Sequence, residues 1–134
     1  MIVANGTLVA VTDGEKLRLF RNKGHEPKIE LIELREPALQ VASTGSGGRH
    51  RSSTANHDDS RLREDDFAAA VAEYLNREAL TGAFEHVVVI ADPRTLGELR
   101  RHVQASLKAK LVGEIDKDLA KHSVEAIENT LAAA

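Results

Sequence analysis

Apolar residues follow two different periods along this chain. Short runs with partial alternation fill the stretch up to Leu34, whereas a spacing of three and four residues governs much of the stretch beyond Arg61. Residues 7–12 (TLVAVT) and 16–20 (KLRLF) flank Asp13-Gly14. An Asp-Gly pair between two such runs predicts a hairpin with a type I′ turn, which needs positive φ at both central residues. In the second run Leu17 and Leu19 alternate with Lys16, Arg18 and Phe20, so one face is expected to be wet. Asn22-Lys23-Gly24 reads as a further turn and residues 28–34 (KIELIEL) as a third strand, completing an antiparallel meander. From Arg61 a helix is predicted, with Phe67, Ala70, Val71, Tyr74 and Leu75 forming a core-facing stripe. Thr81-Gly82 ends it, the glycine suiting the left-handed position after a helix.

The stretch 84–103 (FEHVVVIADPRTLGELRRHV) organises the remainder. Val87–Ala91 is continuously apolar, as in a strand covered on both faces. Asp92-Pro93 stops that strand, because proline lacks a donor and restricts the residue before it. Thr95-x-x-Glu98 matches a capping box, and Leu96, Leu99, Val103 and Leu107 supply the apolar face of one following helix. Residues 110–115 (KLVGEI) form a fifth strand, and Ser123 caps a last helix carrying Val124, Ile127 and Leu131. The order is therefore β-β-β-α-β-α-β-α. Strands joined through helices lie parallel with right-handed crossovers. The class is α/β, a three-layer domain on a mixed five-stranded sheet, and the arrangement resembles ribonuclease-H-like domains.

With 134 residues the chain forms one domain, 1–134. Within it, 36–60 holds no sustained period and contains Ser43-Thr44-Gly45-Ser46-Gly47-Gly48 followed by Arg49-His50-Arg51. A flexible Gly/Ser/Arg-rich loop is expected there. Apolar residues make up 42% of the chain and charged ones 29%, ordinary for a soluble protein. Three Phe, one Tyr and no Trp leave little material for stacking bases, which argues against a single-strand binder. A net charge of −3 argues against broad coating of nucleic acid but permits a local basic patch. Absence of cysteine excludes disulfides and thiolate zinc sites. The first residues lack a basic segment and a long apolar run, so a cytoplasmic location is expected.

Candidate chemistry is sparse. Gly47 and Gly48 let a backbone approach phosphates closely, and Arg49 and Arg51 can pair with them; a plain solvated linker explains the same residues. Arg94, Arg100, Arg101, His102, Lys108 and Lys110 make the helix after the central strand and its ends basic. Arg94 lies near an amide-rich helix start, although a solvated charged face is the commoner explanation. Asp13 and Asp92 stand at strand ends, where carboxylates in such sheets gather two metal ions. The hairpin accounts for Asp13 and the helix cap for Asp92, and Glu64, Asp65 and Asp66 are only loosely placed to complete a set. Asp116-Lys117-Asp118 reads as a surface cluster of charges. The six histidines (25, 50, 57, 86, 102, 122) show no paired helical spacing, so neither zinc nor another cofactor is implied.

TLVAVTDG at 7–14, Gly48-Arg49, ADPRTLGELR at 91–100 and EIDKDLAKHSVEAIE at 114–128 resemble the bacterial host-attachment protein family over nearly the whole length. The layout is also similar to the middle domain of archaeal and eukaryotic translation release factors. There a hairpin with Asp-Gly precedes a Gly-Gly-Gln loop, a long helix and a strand ending in a Gly/Pro turn. Residues 45–51 (GSGGRHR) occupy the corresponding place, with Arg49 where that motif has glutamine. The departure argues against peptide release by that group's mechanism and leaves a basic glycine loop for RNA. The resemblance implies a non-enzymatic, cytoplasmic module for RNA or the ribosome, with attachment affected indirectly. Phosphate contacts would come from Gly47, Gly48, Arg49 and Arg51, assisted by Arg94, Arg100 and Arg101. Alternatives are an adhesion-related protein–protein factor and a metal-dependent nuclease or hydrolase. Oligomeric state is not readable from the alanine-rich helices.

Overall fold

The computed structural model describes residues 1–41 and 57–134. The strands are β1 (Leu8–Thr12), β2 (Leu17–Asn22), β3 (Leu31–Glu33), β4 (Val87–Ala91) and β5 (Leu111–Asp116). The helices are α1 (His57–Thr81), α2 (Pro93–Arg100), α3 (Ala105–Lys110) and α4 (Val124–Ala133). One mixed sheet has the order β3-β2-β1-β4-β5, with β1 parallel to β4 and β4 to β5, and both β1–β2 and β2–β3 antiparallel.

Every residue of β1 and β4 is buried. Their side chains alternate between two cores, as a strand covered on both faces requires. Leu8, Ala10, Val87 and Val89 meet Val71, Leu75, Leu96, Leu99 and Leu107 from α1, α2 and α3. Val9, Val11, Val88 and Ile90 meet Ile127 and Leu131 of α4. Each such Val, Leu or Ile contributes roughly 1.5–3 kcal/mol of transfer free energy, which explains why these two strands anchor the sheet. The expected wet face of β2 is absent, because Leu17 and Leu19 enter the first core and Phe20, fully buried, enters the second.

Three local expectations need correction. No residue of the Asp13-Gly14 connection has positive φ, so the turn is not type I′. Instead the Asp13 carboxylate accepts the amides of Glu15 and Lys16 at 2.8 and 2.7 Å, closing a longer loop around itself. The Thr95-x-x-Glu98 capping box does not form; the helix after β4 is capped by Asp92, as its place before Pro93 led one to expect, and its carboxylate accepts the Thr95 amide at 3.2 Å, with Pro93 at the first helical position. That helix also ends at Arg100 rather than running through Leu107, so the order carries an additional helix, α3, before β5. The physical reason is Asn76. Buried on α1, it donates to the His102 carbonyl at 2.9 Å and accepts the Gln104 amide at 3.0 Å, satisfying the backbone where the helix breaks.

The stop at Thr81-Gly82 matches the expectation. Gly82 sits at φ +79°, its amide donates to Ala79 O, and the Ala83 amide donates to Glu78 O, which is a Schellman closure. Lys110 adds to it by donating from Nζ to the carbonyls of Ala79 and Phe84 at 2.8 and 3.0 Å.

Candidate functional site

The carboxyl ends of the parallel strands lie side by side, because Thr12 pairs with Ala91 and Ala91 with Asp116. Asp13 and Asp92 follow the first two of these residues directly. In open α/β sheets this is the edge at which ligands bind. Helix α1 passes it in close contact: a β-carbon on Gly14 would stand 2.7 Å from Glu64 Cγ. Residues 57–63 therefore continue past the hairpin, about 10 Å of helix at the standard rise. Ser60, Arg61, Leu62 and Arg63 are all exposed there, and Arg63 donates to Ser60 Oγ at 3.3 Å.

Arg94, in the first turn of α2, belongs to the same end of the molecule. Its guanidinium pairs with Asp65 at 2.9 Å and Glu64 at 3.7 Å, linking α2 to α1 while remaining partly exposed. Arg100 and Arg101 do not converge with it. They lie at the far end of α2, two turns away, where Arg100 pairs with Glu114 at 2.7 Å and Arg101 with Glu98 at 3.3 Å. The Glu114 hydrogen bond raises the Arg100 pKa further. Lys110 is committed to backbone carbonyls, so the basic helix is largely a set of local ion pairs and caps. Gly47, Gly48, Arg49 and Arg51 lie outside the described residues, as does most of the loop expected at 36–60. Leu34 and Leu39 before residues 42–56, and α1 after them, pack on the same face of the sheet.

Asp13 and Asp92 both spend their carboxylates on neighbouring amides. Among the described residues no three His, Asp or Glu side chains are grouped to hold a metal ion. Sequence reading overlooked Arg61 and Arg63, which belong to the first exposed turns of α1. The signal available was their two-residue spacing just behind the Gly/Arg stretch.

No described helix is long and apolar enough to cross a membrane. A family model described as bacterial archaeo-eukaryotic release factor family 12 matches residues 6–131. A 66-residue stretch is 32% identical to the uncharacterized protein RP470 of Rickettsia prowazekii (strain Madrid E), covering 48% of this chain and 44% of that protein. The matched stretch thus spans less than half the length of that curated relative.

Proposed function

Because the chain belongs to the bacterial archaeo-eukaryotic release factor family 12, we propose that it acts in translation as a non-enzymatic, cytoplasmic module that binds the ribosome through structured RNA. The observation that carries this reading is the long helix α1, which runs beyond the carboxyl end of the sheet with Arg61 and Arg63 exposed and begins eight residues after Arg49 of the Gly-Gly-Arg stretch. Phosphates are held by backbone amides at Gly47 and Gly48 and by the guanidinium groups of Arg49 and Arg51. Arg94 supports them from α2, while Arg100 and Arg101 widen the positive field along the helix. The sheet order β3-β2-β1-β4-β5 favours a ribonuclease-H-like relationship, in keeping with a release-factor middle domain. Arg49 in place of glutamine separates the binding role from peptide release. Any influence on attachment to host cells is then indirect, through expression of surface factors.

Ribosome co-sedimentation tests the reading. Wild type is expected in the ribosomal pellet, and the Arg49→Ala/Arg51→Ala double variant is expected mostly in the supernatant. Equal, background-level pelleting of both proteins removes the case.

A further inference from the structure

Helix α1 carries two kinds of charge side by side. Arg61 and Arg63 stand exposed near its tip, and Glu64 and Asp65 follow at once. Residues four apart share a helix face, so Asp65 lies one turn below Arg61 and on the same side. Arg94 reaches this acid pair from α2, with Nη2 2.9 Å from Asp65 Oδ1 and Nε 3.7 Å from Glu64 Oε1. The guanidinium that the RNA-binding reading assigns to phosphate is therefore already engaged in the free protein. We propose that Glu64 and Asp65 occupy Arg94 in place of a phosphate, and that RNA arriving beside Arg61 displaces them, at a cost that sets the affinity of the site.

Packing decides which partner gives way. Glu64 is held by its stem: a β-carbon on Gly14 would stand 2.7 Å from its Cγ and 3.0 Å from its Cβ and Cδ, so the hairpin closes over it. Arg94 instead crosses from α2 on a long side chain that is 38% exposed, and the two carboxylates are open to water to a similar degree. Ion pairs so exposed add little net stability, whereas a phosphate can accept two parallel guanidinium hydrogen bonds. The first turn of α2 has no acidic side chain of its own, and its amides favour whichever anion Arg94 holds. Exchange of carboxylate for phosphate keeps that helix end neutralised but leaves Glu64 and Asp65 unpaired beside a like charge, which is the source of the cost. This restraint presupposes the RNA-binding reading and adds to it a competitor built into the fold.

Co-sedimentation titrations with purified ribosomes test it on the full chain as wild type, Glu64→Gln/Asp65→Asn, Arg94→Ala and the triple variant. The two acid substitutions keep side-chain shape, so contact with Gly14 is retained and thermal melts should stay close to wild type. Neutralising the acids is expected to tighten binding about three- to fivefold with Arg94 present, and under about twofold with alanine in its place. Pelleting by the acid-neutralised variant alone supports the proposal outright. An equal gain in both backgrounds reports only the removal of negative charge and overturns it, as does no gain at all, while the ribosomal reading stands. Background pelleting by every variant and by wild type overturns both.

Discussion

Arg18 makes four side-chain hydrogen bonds, as many as the buried Asn22. It meets Glu33 through two parallel hydrogen bonds, Nε to Oε2 at 3.0 Å and Nη2 to Oε1 at 2.9 Å. Nη1 donates to the carbonyls of Ala120 and His122, and the guanidinium lies 5.0 Å from the Phe20 ring centre. One residue of β2 thereby ties β3 and the connection between β5 and α4 to the sheet. The Arg18 hydrogen bond holds the Glu33 carboxyl below its ordinary value, against the opposing effect of partial burial, and the same bond raises Arg18. A lowered folded pKa adds stability above the unfolded value and loses it as pH falls through the folded one. Urea titrations of wild type and Glu33→Gln should therefore differ by a constant amount near neutrality, with the gap closing below about pH 4. Glu33 is 44% exposed, so the neutral-pH gap is expected to stay under about 1 kcal/mol. Arg18→Ala should cost more, roughly 2 kcal/mol, because the Ala120 and His122 carbonyls lose their charged donor as well.

At the scale of elements, the break between α2 and α3 depends on a single buried amide. Asn76→Ala leaves the His102 carbonyl and the Gln104 amide without partners, and a loss of about 2–3 kcal/mol is expected in urea or thermal unfolding. Asn76→Asp should also fail to restore the full value, since a carboxylate accepts from Gln104 but cannot donate to His102. The same residue marks where sequence reasoning stops. The apolar spacing of Leu96, Leu99, Val103 and Leu107 is equally compatible with one helix or two, and only a partner on a different element decides between them. Elements whose cause is local were legible: the buried β4 run, the helix stop at Gly82 and the Ser123 cap, whose oxygen accepts the Ala126 amide at 3.1 Å. Asp13 was legible as a turn residue but not in its turn type, because its carboxylate supplies the closure that positive φ would otherwise have supplied.

For the whole molecule, a mixed five-stranded sheet with an antiparallel meander followed from hairpins and crossovers, but the second covered face of β2 did not, because α4 returns from the far end of the chain to bury Phe20. The site was legible only as charge. Arg94, Arg100 and Arg101 are consecutive members of a basic run, yet the fold gives each a different carboxylate and sets Arg94 two turns away from the others. The anchoring of α1 has a dynamic consequence. Its final turn is fixed by the Schellman closure and Lys110, its middle by Asn76, and its first turns by the exposed Arg94 ion pairs to Glu64 and Asp65, the core contacts among the described residues beginning at Phe67 and Ala68. Native-state hydrogen exchange should accordingly be graded along the helix, slowest for residues 71–79 and fastest for 60–64. A helix that frays from its arginine-bearing tip can shorten by a turn at little cost, which gives the molecule an adjustable reach from an otherwise rigid base.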